Sequence, residues 1–176
     1  MFAISVEMAE IHGPKMSLEI ERKFLVFNDD WKMSVTRAIR IRDGLVASNN
    51  GQKVRVRIAD STATITLKSR RRGMTRSEFE YPIPLSDAEE ILRVMCNGEV
   101  LEKVRHCVPH AGVVWHVDVY QGILSGVVIA EVELRSTDQQ IECPNWVEKE
   151  VTEEPAYRKI NMRAQRMANS RQNAPR

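Results

Sequence analysis

Charged residues recur at every second position in several short segments, and this alternation is the feature that most constrains the fold. It occurs at residues 19–23 (EIERK), 54–57 (VRVR) and 131–133 (EVE). The pattern predicts β-strands, whose successive side chains point to opposite faces of a sheet. A single segment of this kind is more often a solvent-exposed face. Rows of mixed sign on one strand after another favour a site that is lined with charge.

The composition indicates one globular domain and argues against several kinds of partner. The chain has 176 residues, of which 43% are apolar and 6% aromatic, and its net charge is +2. So few aromatic side chains weaken a role in stacking nucleic-acid bases. So small a net charge produces no overall electrostatic field that would attract nucleic acid or a membrane. No apolar run reaches the roughly 20 residues of a membrane helix. We therefore expect neither partner.

The cysteines and the two ends of the chain bear on location and domain limits. Three widely spaced cysteines without a CxxC pair predict reduced thiols and a cytoplasmic protein. Residues 1–15 lack the features of a signal peptide and are predicted to be a flexible leader. Residues 16–168 are predicted to form a single domain, and residues 169–176 a disordered tail.

Turn signals divide the chain into nine predicted strand segments, which make about eight mostly antiparallel strands. We expect strands at 18–27, 38–41, 45–47, 53–58, 62–68, 74–83, 100–108, 113–120 and 127–134, with a turn at 42–44. A capping box at 86–89 predicts a helix to about residue 96. The chain beyond residue 137 is predicted to be helical or irregular, with a last helix at 156–168.

The predicted fold class is α+β, with an eight-stranded antiparallel β-barrel and helices packed outside it. Closure into a barrel removes the edges of the sheet and creates an interior. So many charged rows favour a barrel that turns its charges inward and its apolar faces toward the helices. The predicted inward cations are Lys23, Arg55, Arg57, Lys68, Arg76, Lys103 and Arg105, and the predicted inward acids are Glu19, Glu21, Glu78, Glu80, Asp118, Glu131 and Glu133.

These two sets of side chains suit two kinds of ligand. Clustered carboxylates are the ligands that hard cations such as Mg²⁺ or Mn²⁺ prefer. Arginine and lysine side chains bind phosphate oxygens, and the arginine fork does so in pairs. Phosphoryl transfer requires both a metal and neutralised phosphate charge.

The same segments resemble the CYTH superfamily, the triphosphate tunnel metalloenzymes. EIERK at 19–23 matches the ExExK signature of that family, and VRVRI, TITLK, WHVDVYQG and AEVEL follow in the family's order. The resemblance extends from about residue 16 to residue 161. It is strongest to the small bacterial members, which include inorganic tripolyphosphatases.

The resemblance implies a tunnel that binds a linear triphosphate and hydrolyses it with a divalent metal. It assigns catalysis to Glu21, Lys23 and Glu133, with metal and phosphates held by the acids and cations named above. It also implies a C-terminal helix near one tunnel end and a homodimer. Inorganic tripolyphosphate is the expected substrate. Nucleoside or thiamine triphosphates, cyclic AMP synthesis and non-catalytic polyphosphate binding remain as alternatives.

The chain departs from the family pattern at two places. Residues 43–46 (DGLV) stand where small members often have a Q-G-Y-L-like stretch, so a tyrosine contact is missing. Near the C-terminus, Glu148 replaces a usual glycine and Lys159 a usual asparagine. We expect these departures to affect gating or rate and not the charged rows.

Overall fold

A computed structural model describes residues 17–96 and 99–172. The predicted leader at 1–15 and the last four residues of the predicted tail lie outside that part. The strands are β1 (Ser17–Val26), β2 (Arg37–Asn49), β3 (Gln52–Ala59), β4 (Thr62–Lys68), β5 (Thr75–Pro82), β6 (Val100–His110), β7 (Val113–Tyr120), β8 (Val128–Glu133) and β9 (Val147–Glu150). The helices are α1 (Leu85–Val94) and α2 (Lys159–Gln172), with short 3₁₀ segments at Asp30–Ser34, Gly122–Leu124 and Pro155–Tyr157.

Eight of these strands close into an antiparallel barrel. Their order is β5-β4-β3-β2-β6-β7-β8-β1, and β1 pairs with β5 to complete the ring. The short strand β9 adds to the last residues of β1. The predicted eight-stranded antiparallel barrel is therefore confirmed, with one additional strand.

The predicted turn at 42–44 is wrong, because β2 continues through it. Asp43 pairs with Arg57, and Gly44 with Val56. A Cβ atom on Gly44 would lie 2.5 Å from both the Sγ atom of Cys96 and a methyl carbon of Leu92. The glycine is therefore needed for the close approach of the α1 segment to the strand. It does not mark a turn.

Three further features of the secondary structure differ from the predictions. Strand β9 lies in the stretch that was predicted to be helical or irregular. Helix α1 begins at Leu85 and has no side-chain cap, so the expected capping box does not form. Helix α2 extends to Gln172, four residues beyond the predicted end of the last helix.

Apolar side chains pack on the outside of the barrel. Helix α1 covers Val56 and Ile58 with Ala88 and Leu92. On another side, the tryptophans at 31, 115 and 146 pack with Phe24 and neighbouring aliphatic residues. The apolar rows therefore face outward and the charged rows inward, as predicted. Within the described part of the chain, no helix is long and apolar enough to cross a membrane.

Helix α2 lies at one end of the barrel. Its Met162 is buried against Leu101, Tyr120, Leu124 and Ile129. This cluster makes that end of the interior apolar. The predicted position of the C-terminal helix is thus confirmed.

Candidate active site

The interior of the barrel holds a cavity of about 310 Å³. Its walls are mainly charged, because alternate residues of β1, β3, β4, β5, β6 and β8 point into it. The alternation brings most of the predicted site residues together. They are Glu19, Glu21, Lys23, Arg55, Arg57, Lys68, Arg76, Glu78, Arg105, Glu131 and Glu133.

Acidic residues face each other where β1 pairs with β8. Glu21 lies opposite Glu133, and Lys23 opposite Glu131. The Lys23 ammonium lies 3.0 Å from a Glu21 oxygen and also contacts Glu131. Burial and the charges of Glu21 and Glu19 raise the pKa of Glu133, which forms no ion pair among the described residues. Among the described residues, Glu133 is therefore a carboxylate without a cationic partner beside two other acids, which suits a cation site.

The other end of β1 carries a carboxylate that is surrounded by cations. A Glu19 oxygen accepts hydrogen bonds from Arg76 at 3.0 Å and from Lys68 at 3.1 Å. Lys68 also bonds to Glu78 at 2.7 Å. Burial alone would raise the pKa of Glu19, but Arg76 and Lys68 lower it well below its usual value. Glu19 is therefore ionised and already paired in the free protein.

Three predicted site residues do not line the cavity. Asp118 is fully buried, and its oxygens accept hydrogen bonds from Lys103 and from Arg105 at 2.8 Å. Burial would raise the pKa of Asp118, but those two cations lower it. Glu80 is exposed and accepts a hydrogen bond from Thr66 at 3.1 Å. The proposed ligand roles of these residues remain predictions.

The structure adds an interior carboxylate that sequence analysis missed. Asp43 is 2% exposed, and its carboxylate lies 2.5 Å from Arg55 and 3.4 Å from Arg57. Lys159, at the start of α2, lies 3.2 Å from the same carboxylate. Burial would raise the pKa of Asp43, but these cations hold it well below its usual value. The alternation would have placed Asp43 inside if β2 had been read as continuous.

Further cations reach the cavity from outside the predicted rows. Arg71, in the basic loop at 69–73, bonds to a Glu21 oxygen at 3.1 Å. Lys53, Arg70 and Arg158 also line the cavity, and none of them forms an ion pair within the described residues. Burial and the charges of Arg55, Arg76, Arg158 and Lys68 lower the pKa of Lys53 to about 8. Positive charge is therefore in excess near Lys53, which suits an anionic ligand.

The acidic side chains that line the cavity meet only part of what a divalent metal ion requires of its ligands. Within residues 17–96 and 99–172, no three acidic, histidine or cysteine side chains form a ready-made metal site. Lysine and arginine groups are paired with most of the acids. Glu21 and Glu133 nevertheless lie opposite each other, and burial, together with the charges of Glu21 and Glu19, raises the pKa of Glu133. All-oxygen ligands of this type suit Mg²⁺ or Mn²⁺.

Comparison with known proteins gives the same family from sequence and from structure. An inorganic triphosphatase of Acetivibrio thermocellus is 37% identical over 147 residues, which cover 84% of this chain and 94% of the relative. An inorganic triphosphatase of Nitrosomonas europaea is 35% identical over 147 residues, covering 80% and 93%. A crystal structure of an inorganic triphosphatase superposes with a TM-score of 0.60 at 30% identity, covering 84% of this chain and 95% of the other.

A more distant structure, from Pyrococcus horikoshii, is 19% identical with a TM-score of 0.54 and supports the fold alone. The family model described as the CYTH domain matches residues 17–163, which include every strand of the barrel. The chain therefore belongs to the CYTH-domain family.

Proposed function

We propose that the protein hydrolyses a linear triphosphate inside the barrel, with inorganic tripolyphosphate as the substrate. Water would break a terminal phosphoanhydride bond and yield pyrophosphate and phosphate. The observation that carries the proposal is a cavity in which an excess of cations faces acids at Glu21 and Glu133. The two relatives described as inorganic triphosphatases support the same activity.

The cations that line the cavity would bind the phosphates. Several of them are held in place by acids in the free protein, as Arg76 is by Glu19 and Arg105 by Glu131. Such pairing orients the side chains before the substrate arrives, although the charge of each acid also competes with the phosphates for its cation. The proposed phosphate ligands are Lys23, Arg55, Arg57, Lys68, Arg76 and Arg105, with Lys103 buried beneath them.

A divalent metal, Mg²⁺ or Mn²⁺, would be held by acids of β1 and β8. Glu21 and Glu133 lie opposite each other, with Glu19 and Glu131 on the same face. When bound, such a metal neutralises phosphate charge and lowers the pKa of a water ligand. Lys23, between Glu21 and Glu131, would hold a phosphate oxygen next to these acids. The roles of Glu78, Glu80 and Asp118 as further ligands belong to the same proposal.

The lining supports an inorganic substrate over an organic one. Tyr157 is the single aromatic residue among the described residues that line the cavity. A thiamine or nucleoside base would need an apolar or aromatic surface beside the phosphates. A non-catalytic polyphosphate-binding module is disfavoured, because carboxylates such as Glu133 oppose the binding of anions alone.

Phosphate release from tripolyphosphate, ATP and thiamine triphosphate tests the proposal. Each substrate is assayed with Mg²⁺, Mn²⁺, Ca²⁺ or EDTA, and Glu21→Gln serves as the matched control. We expect metal-dependent release from tripolyphosphate by the wild type and none by Glu21→Gln. Faster release from ATP or thiamine triphosphate would identify that organic triphosphate as the substrate in place of tripolyphosphate. Binding of tripolyphosphate without any release would refute hydrolysis.

The location and assembly are also proposed. Cys96, Cys107 and Cys143 are free thiols, which supports a cytoplasmic protein. The family resemblance supports a homodimer. Light scattering should then give twice the 20.2 kDa of one chain, and a mass of one chain would refute the dimer.

A further inference from the structure

The first residue of α2 reaches into the cavity that holds the proposed phosphate ligands. The Lys159 ammonium lies 3.2 Å from the carboxylate of Asp43 on β2. Its side chain lines the main cavity and also a smaller adjoining cavity of about 40 Å³. Lys159 therefore brings a basic group from an α-helix to a site that is otherwise built from strands, loops and a 3₁₀ segment.

The charges around Lys159 do not balance. Asp43 is its direct acidic partner, and Asp43 is shared with Arg55 at 2.5 Å and Arg57 at 3.4 Å. Three basic side chains thus share one carboxylate. Burial and the neighbouring charges of Lys103 and Arg55 hold the pKa of Lys159 well below its usual value, although Asp43 and Glu131 oppose this shift. This end of the cavity therefore has more basic groups than acids, and a bound anion would favour the charged form of Lys159.

Helix α2 has other contacts that hold it on the barrel. Met162 is 7% exposed and packs into the apolar cluster at the barrel end. Arg163 pairs with Glu99 at 2.6 Å, and Arg163 does not line the main cavity. A buried lysine among cations costs free energy through desolvation. Docking of the helix therefore does not explain why the ammonium of Lys159 lies in the cavity.

We propose that Lys159 is a further substrate-binding residue and that Asp43 is the counter-ion that holds it until a phosphate takes its place. The inference rests on the proposed function, because it names a residue that binds the same triphosphate. In the bound state, a phosphate group would accept hydrogen bonds from Lys159 and Arg55. Asp43 would then oppose binding, since its negative charge competes with the phosphate for the same cations.

The two residues have opposite predicted effects, which a binding experiment can separate. Calorimetry in EDTA measures the Kd of tripolyphosphate without turnover. Lys159→Met removes the charge and keeps the length of the side chain, and we expect it to raise Kd by about ten-fold or more, as the loss of a charge-assisted hydrogen bond predicts. Asp43→Asn removes the competing charge and should lower Kd.

Three controls distinguish substrate binding from a structural role. Arg163→Met breaks the other ion pair of α2 and should leave Kd unchanged. Lys159→Arg keeps the charge and should restore most of the affinity that Lys159→Met loses. With metal present, Lys159→Met should raise KM for tripolyphosphate by a similar factor and change kcat by less than about two-fold, because it removes binding that ground state and transition state share.

The proposal would be overturned by an unchanged Kd in Lys159→Met, or by an equal rise in Arg163→Met. A rise in Kd for Asp43→Asn would contradict the role of Asp43. These results differ from failure of the proposed function, in which the wild type releases no phosphate from any triphosphate. Should Lys159→Met fail to fold, Asp43→Asn still decides the question, because the proposal predicts a lower Kd and an unchanged or higher Kd would overturn it.

Discussion

Replacement of Asp118 by asparagine tests how strongly the barrel depends on a charge that lies beneath the cavity. The Asp118 side chain is 0% exposed, and its partner Lys103 is 1% exposed. Asparagine has nearly the same shape, so the substitution removes charge and creates no cavity. Lys103 and Arg105 would then lose the carboxylate that holds both of them. Breaking a buried ion pair in this way costs about 3–5 kcal/mol, because a charge is left buried without compensation.

For a chain of this size, that loss should lower Tm by about 6–20 °C. Urea unfolding measures this loss directly, provided that the dependence of the free energy of unfolding on urea concentration has the same slope in both proteins. A matched control is Glu90→Gln, which removes an exposed partner of Arg93 on α1, and it should not measurably move the midpoint. A loss below about 1 kcal/mol in Asp118→Asn would refute the stabilising role of the buried pair.

The same variant makes a prediction about pH. The pKa of Asp118 in the folded protein is lower than its ordinary value of 3.8. Its contribution is therefore complete above the unfolded-state pKa and is lost as the pH falls through the folded-state pKa. Asp118→Asn should be less stable than the wild type at neutral pH, and the difference should shrink in strong acid. The Mg²⁺ concentration that gives half-maximal activity tests, in the same variant, whether Asp118 also binds metal.

Three further predictions address substrate binding, packing and pH. Arg57→Ala should raise KM for tripolyphosphate with little change in kcat, because it would remove a proposed phosphate ligand from ground state and transition state alike. An unchanged KM would contradict that role. Gly44→Ala should lower the free energy of unfolding in urea by about 1–3 kcal/mol, because its methyl group would overlap Cys96 and Leu92; wild-type stability would show that α1 can move away. Lys53→Met should have a lower kcat/KM than the wild type at neutral pH. The ratio should approach one as the pH rises past about 8, where Lys53 loses its charge, and a constant ratio would count against this assignment.

The sequence predicted the barrel and most of its lining because the alternation of side chains is a local property of a strand. Once residues 19–23 were assigned to a strand, Glu19, Glu21 and Lys23 had to share a face. The same argument placed Arg55 with Arg57 and Glu131 with Glu133. All seven of these residues line the cavity.

The missed features depend on contacts between distant parts of the chain. Gly44 resembled a turn signal, and only the packing of α1 shows that it belongs inside a strand. Asp43 was missed for the same reason. Strand β9 has four residues, and its partner β1 is more than a hundred positions away. Lys159 was recognised as a departure from the family pattern, but only the structure shows its contact with Asp43.

The most direct test of the proposed metal-dependent hydrolysis is the rate of phosphate release from tripolyphosphate by Glu133→Gln at saturating Mg²⁺. Glu133 forms no ion pair within the described chain, so the substitution leaves no described cation without its partner. We expect a folded variant that still binds tripolyphosphate in EDTA and releases no phosphate above the blank. A wild-type rate in this variant would contradict the assignment of catalysis to the acids of β1 and β8.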